Sequence, residues 1–192
     1  MKRIFVVLFV SCSLLTVHAQ KSKREEGIKL GIKGGLNVSN LMGDVDDVAI
    51  RTSVHVGLLA EIIVTDKFSI QPELFYSGQG ASITSTGGGR VKLDYVNLPV
   101  LAKFPVATGL SVEAGPQMGF LVSSRYKTND SNDKIDGVKT IDLGLGAGLE
   151  YELKSGVIFQ ARYNLGLSDI GYAGDNKRAS NSVIQASIGY LF

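Results

Sequence analysis

The chain has 192 residues, 44% of them hydrophobic, with 23 Gly, 4 Pro and a formal net charge of +2. That length suits one domain, and near-neutrality excludes any case for nucleic acid or another polyanion resting on bulk charge. The single cysteine, Cys12, excludes an internal disulfide.

The first 19 residues read as a cleavable secretory signal peptide. Lys2 and Arg3 form a basic start, residues 4–15 are apolar apart from Ser11, Cys12 and Ser13, and Val17-His18-Ala19 ends in a small residue before Gln20. The apolar run is too short to span a bilayer as a helix. A lipidated Cys12 is the rival, but Phe9-Val10-Ser11 is a poor lipobox. Cleavage after Ala19 removes the cysteine and leaves 18 charges of each sign. Residues 20–27 are a charged leader, and 28–192 form the domain.

From residue 28 the chain alternates with period 2, the signature of strands with one apolar face. The first strand sets Ile28, Leu30, Ile32, Leu36 and Val38 against Lys29, Lys33, Asn37 and Ser39. After an acidic loop over 40–52, the second sets Val54, Val56, Leu58, Ala60, Ile62 and Val64 against His55, Leu59 and Glu61. Thr65-Asp66-Lys67 is a tight turn. In the third strand Ile70, Pro72, Leu74 and Tyr76 oppose Gln71, Glu73, Phe75 and Ser77. Pro72 cannot donate to a ladder, so a bulge or a locally open pairing is expected there.

Residues 81–90, with Gly87-Gly88-Gly89, read as a loop. The fourth strand, to Phe104, places Val96, Leu98, Val100 and Ala102 opposite Tyr95, Asn97, Leu101 and Lys103. A turn at 105–109 leads to a fifth with Val112, Ala114, Pro116, Met118 and Phe120 opposite Glu113, Gly115 and Gln117. A long polar loop over 122–139 follows. The sixth strand has Ile141, Leu143, Leu145, Ala147, Leu149 and Tyr151 against Asp142, Gly144, Gly146, Gly148 and Glu150. Lys154-Ser155-Gly156 turns into a seventh with Val157, Phe159, Ala161, Tyr163 and Leu165 against Gln160, Arg162 and Asn164. After a polar loop over 168–180, the last strand puts Ile184, Ala186, Ile188, Tyr190 and Phe192 opposite Gln185, Ser187 and Gly189.

The connections run long, short, long, short, long, short, long. In an up-and-down sheet every long loop then falls at one end, as in outer-membrane barrels. No segment reads as an amphipathic helix. A soluble β-sandwich would also accept one uncharged face, so polarity alone does not choose. Strands of ten to twelve residues, glycines in the polar row that leave room in a crowded lumen, and aromatics towards strand ends favour a membrane barrel. The expected fold is all-β, an eight-stranded antiparallel up-and-down transmembrane β-barrel.

Four stretches resemble the PorT-like small outer-membrane β-barrel proteins of Bacteroidetes: Gln71-Pro72-Glu73-Leu74, residues 95–103 (Tyr-Val-Asn-Leu-Pro-Val-Leu-Ala-Lys), Glu113-Ala114-Gly115-Pro116-Gln117 and residues 162–167 (Arg-Tyr-Asn-Leu-Gly-Leu). The chain's end also resembles the outer-membrane assembly signal through Gln185, Tyr190 and Phe192, with Ser187 where Gly is usual. The resemblance implies an outer-membrane location, outer-membrane lipid and the barrel-assembly machinery as partners, and an accessory role in protein secretion for one namesake. It implies no activity.

The inward charges Glu73, Glu113, Asp142 and Glu150 are expected to pair with Lys33, Lys103 and Arg162 as a plug, because eight strands enclose room only for their own side chains. The sharper reading of them is a proton or ion path. His55, the one mature histidine, is the residue a lipid-modifying enzyme would use, yet no nucleophile motif accompanies it. The acidic loops at 44–47 and 130–137 read as solvated: the second begins like a calcium loop but has Lys134 and Ile135 where a ligand and Gly belong. No catalytic residue, metal ligand or cofactor is therefore assigned, and no nucleic acid is expected. External loops and their partners are left to carry the role.

Overall fold

Strands with one apolar and one polar face bury both only if the sheet closes on itself. The computed structural model describes residues 27–44, 47–84, 88–128, 131–135, 137–171 and 178–192. The expected signal peptide, and the leader as far as residue 26, lie outside these residues. Ten strands follow in order: β1 (Ile28–Gly43), β2 (Val48–Ala49), β3 (Arg51–Thr65), β4 (Phe68–Ile83), β5 (Gly89–Ala107), β6 (Leu110–Lys127), β7 (Asn132–Lys134), β8 (Ile141–Glu152), β9 (Val157–Gly166) and β10 (Ala179–Leu191). Eight form a closed antiparallel ring, β1-β3-β4-β5-β6-β8-β9-β10, shut by β10 against β1 from Gly31↔Leu191 to Gly43↔Ala179. β2 and β7 add short rungs to β4 and β6 at the loop end.

The polarity is inside out. Leu36, Val56, Leu58, Leu98, Val100, Leu145, Phe159, Ile184 and Ile188 are exposed, while Lys33, Asn37, His55, Glu73, Lys103, Glu113 and Arg162 are buried. This overturns the sandwich reading, which needs the apolar face as its core. Aromatic residues ring the turn end, where the Phe68 and Phe104 rings lie 5.3 Å apart and Tyr190 meets Phe192 edge-on at 5.4 Å.

Strand bounds differ from the sequence reading at the loop end. Residues 40–43, 51–52, 81–83, 89–90, 122–127 and 179–180, read as loop, continue the ladders. There the hydrophobic pattern inverts: Leu41, Ala81 and Ala179 point inward, as do Val91 and Leu93 at the start of the fourth strand as read, so a pattern tuned to polar-inward strands loses the first three.

Pro72 does open its ladder. The rungs that would join Ala60 to Pro72 and Glu61 to Gln71 are missing between Leu59↔Glu73 and Ile62↔Ile70. Pro99 and Pro116 do the same in the next two interfaces, between Pro72↔Val100 and Phe75↔Asn97, and between Pro99↔Gln117 and Ala102↔Ala114.

The closing seam is tight. A Cβ added at Gly35 would sit 2.0 Å from the Ala186 carbonyl oxygen and 2.7 Å from Ser187 Cα. Gly35→Val is therefore expected to destabilise closure by about 1–3 kcal/mol. The check is the folded fraction by heat-dependent gel mobility and the urea midpoint in lipid vesicles, both of which fall.

Candidate functional site in the barrel lumen

Inward side chains come from alternate residues of every ring strand, so groups far apart in sequence meet across the lumen. The largest of the buried ones is Arg162 of β9, 1% exposed. Its Nη1 and Nη2 donate to Glu73 Oε2 and Oε1 at 2.8 and 2.7 Å, a bidentate pair, and its Nε donates to Glu113 Oε1 at 2.8 Å. Lys33 Nζ donates to Glu73 Oε2 at 2.7 Å and to Gln160 Oε1 at 2.9 Å. Gln160 Nε2 bridges Glu113 and Glu150, and Lys103 Nζ joins Glu150 to Glu61. Ser69 Oγ donates to Glu61 Oε1, the oxygen Lys103 does not reach, and Gln71 Nε2 adds bonds to Glu73 Oε1 and Glu150 Oε2, which Arg162 and Gln160 share.

This is the plug read from sequence, with Glu61 added and Asp142 removed. Asp142 makes none of those ion pairs. It accepts from Asn181 Nδ2 at 2.7 Å and Ser168 Oγ at 2.8 Å, nearer the loop end. The glycine row works as read: a Cβ at Gly146 would come 2.6 Å from Asn164 Oδ1 and 3.3 Å from Arg162 Cδ.

A second tier centres on His55, 2% exposed. Asn37 Nδ2 donates to Ser77 Oγ and the Gly78 carbonyl, which leaves Asn37 Oδ1 to accept from His55 Nδ1 at 2.7 Å. His55 Nε2 is then the acceptor for the Ser187 hydroxyl, also at 2.7 Å. The order hydroxyl, imidazole, amide is that of a nucleophile, its base and an orienting group. Sequence reasoning missed Ser187 and Asn37 as partners of His55 because they sit on β10 and β1 with no motif to link them. The hydroxyl faces other lumenal side chains, and the cavity described next has neither Ser187 nor His55 in its lining.

The lumen ends differ. At the turn end a cavity of about 1520 Å³ opens outward, lined among others by Lys29, Glu61, Lys103, Ser111 and Tyr151. At the loop end Leu41, Ala81, Val91, Leu93, Tyr95, Ile170 and Ala179 pack into an apolar cap. Asp169 anchors that cap: its Oδ1 accepts from the backbone N–H of Gly171 and Ala179, and its Oδ2 from Lys139 Nζ at 2.7 Å. The lysine bond, then those backbone N–H groups, hold the Asp169 carboxyl well below the usual carboxylate range. Among the described residues no group of three or more His, Cys, Asp or Glu side chains is placed to hold a metal ion.

Two outcomes follow from these contacts. Arg162→Met leaves Glu73 and Glu113 buried without their main partner and is expected to cost about 3–5 kcal/mol by urea unfolding, part of it regained in Arg162→Met/Glu73→Gln. A carboxylate with a depressed folded pKa contributes fully above its unfolded value, about 3.9 for Asp, and loses the contribution only as pH falls through the folded value. Amide protection at Gly171 and Ala179 should thus hold from pH 8 to 5, once intrinsic exchange is allowed for, and drop at both in Asp169→Ala.

The comparisons agree with this geometry. The model of the outer membrane protein beta-barrel domain matches residues 18–171, most of the chain, and stops short of β10. The fold is similar to neisserial surface protein A (TM-score 0.59, 12% identity, 87% of this chain and 100% of that one). It is also similar to Ail, the attachment invasion locus protein of Yersinia pestis (TM-score 0.55, 13% identity, 88% and 100%). No curated protein matches it in sequence. A closed eight-stranded ring, exposed apolar walls, a polar lumen and this match lead to one conclusion: the chain belongs to the outer membrane protein beta-barrel domain family.

Proposed function

We propose that the chain is a non-enzymatic, non-conducting protein of the bacterial outer membrane that works through its rims. Its four long loops face outside, and the turns and both ends of the barrel face the periplasm. The observation that carries this reading is the filled lumen. Four carboxylates and three cations bind one another beneath an apolar cap, so neither solutes nor a water file have a continuous polar route. The ion-path reading needs a group free to exchange its partner, whereas Arg162 is held by two carboxylates at once.

The enzymatic rival rests on His55. Its imidazole lies on the lumenal side with both ring nitrogens bonded, and the exposed wall that touches lipid is aliphatic and aromatic. Ser187 is buried, its hydroxyl is bonded to His55, and neither residue lines the turn-end cavity, which favours reading the tier as packing.

Two rims remain for partners. The turn-end cavity carries Lys29, paired to Glu152 at 2.7 Å, and suits a periplasmic protein segment. Motif residues such as Gln71, Tyr95, Lys103 and Arg162 support a PorT-like relationship and, with it, an accessory part in protein secretion. β10 would present Gln185, Tyr190 and Phe192 to the assembly machinery. The test is conductance: the purified chain in planar bilayers gives no steady current above bare lipid. A stable open level would sink the plugged reading.

A further inference from the structure

Above the apolar wall the outward face of β5 and β6 changes character. Val91, Leu93 and Tyr95 point inward and are fully buried, so Arg90, Lys92 and Asp94 between them point out. On β6, Arg125 and Lys127 are exposed while Ser124 is buried. The register places these cations directly opposite one another, Arg90↔Lys127 and Lys92↔Arg125. β7 continues the second row with Lys134 opposite Arg125. Arg51 of β3 reaches the same region, donating to the Gln79 carbonyl and lying close enough to act on Lys92.

Like charges directly opposite on neighbouring strands destabilise a sheet. Asp94 is the carboxylate acting on both Arg51 and Lys92, and it also accepts from the Tyr76 hydroxyl, so one carboxylate serves this group of cations. A membrane protein would gain nothing from such a ladder in water alone.

Its height gives it a purpose. Val96 pairs with Tyr76 on β4 and with Phe120 on β6, two aromatics on the loop-end half of the wall. Asp94, Lys92 and Arg90 lie two, four and six residues beyond, roughly 5–15 Å higher on a tilted strand. Directly below on the same strands, Leu98, Val100, Met118 and Val122 are exposed. A ligand that fills this surface has acid groups at one end and apolar chains running down the wall. A free anion would satisfy only the upper half.

We infer that Arg90, Lys92, Arg125 and Lys127 form a binding site for the phosphorylated headgroup of an outer-leaflet glycolipid, its acyl chains lying on the β5–β6 wall below. This rests on the loops facing outside. Lys and Arg are the donors such phosphates take, Arg in bidentate form.

The test uses the full mature chain refolded in maltoside micelles. Native mass spectrometry compares bis-phosphorylated lipid A, enzymatically dephosphorylated lipid A and inorganic pyrophosphate. The expected result is a one-to-one adduct with the first, at least roughly tenfold tighter than with the second. Arg90→Gln/Lys92→Gln/Arg125→Gln/Lys127→Gln abolishes that preference, while Lys139→Gln, beyond β7 and paired with Asp169, keeps it. If the fourfold variant does not show the heat shift of a folded barrel, Arg90→Gln/Lys127→Gln and Lys92→Gln/Arg125→Gln carry the comparison. Equal binding of both lipids, a preference surviving in the variants, or pyrophosphate matching the lipid would overturn the inference. Labelling of Lys127→Cys by an impermeant maleimide on intact cells reads the orientation separately. Labelling only after permeabilisation would overturn the topology itself, whereas labelled cells without a lipid preference would overturn the headgroup site alone.

Discussion

A strand in hydrocarbon has no water to satisfy its amides and carbonyls, so a sheet there survives only without an edge. In this chain that demand falls on the β1–β10 seam, which joins the two ends of the barrel sequence over 13 paired positions. Gly35 lets the two strands approach at its centre. Once the ring is shut, the polarity follows. Side chains that face lipid must be apolar, and those that face inward, between the turn-end cavity and the apolar cap, are cut off from bulk water. The lumen therefore compensates its charges, Asp142 by hydrogen bonds from Asn181 and Ser168 and those of the plug by ion pairs. It holds them as Arg162 with Glu73 and Glu113, and as Lys103 with Glu61 and Glu150.

Much of this was legible in the sequence because both constraints leave the same mark, a period of 2. The faces of Ile32 and Lys33, of Phe159 and Arg162, and of Ile188 and Ser187 all fall as the alternation says. The loop-end strand bounds were lost for a physical reason. Beyond the bilayer the requirement reverses: Val91 and Leu93 seal the lumen against water while Arg90 and Lys92 face it. The period persists there but its phase does not, and a reading that equates polar with inward takes that inversion for a loop.

The partners inside the lumen were less legible, since they depend on stagger and not on composition. Asp142 and Glu150 lie on the same face of β8, yet eight residues of strand separate a carboxamide and hydroxyl environment from the ion-pair tier. His55 meets Ser187 only because the closing register sets Gly35 opposite both. No local pattern encodes that meeting. It also explains how a nucleophile-like order can arise from register alone: three small or planar polar groups at one height bond to each other wherever their donors and acceptors match.

The prolines connect these points. Pro72, Pro99 and Pro116 interrupt three successive ladders, β3–β4, β4–β5 and β5–β6, within the membrane-facing part of the wall. Left alone, such a band would be where the ring loosens. The lumenal ion pairs cross it from inside. Lys103 on β5 holds Glu61 on β3 and Glu150 on β8, and Arg162 on β9 holds Glu73 on β4 and Glu113 on β6. The plug is thus a set of ties between strands that no ladder joins directly. Its charges close the wall as much as they fill the bore, which is why a narrow barrel retains an expensive buried network where aliphatic side chains would also fill the space.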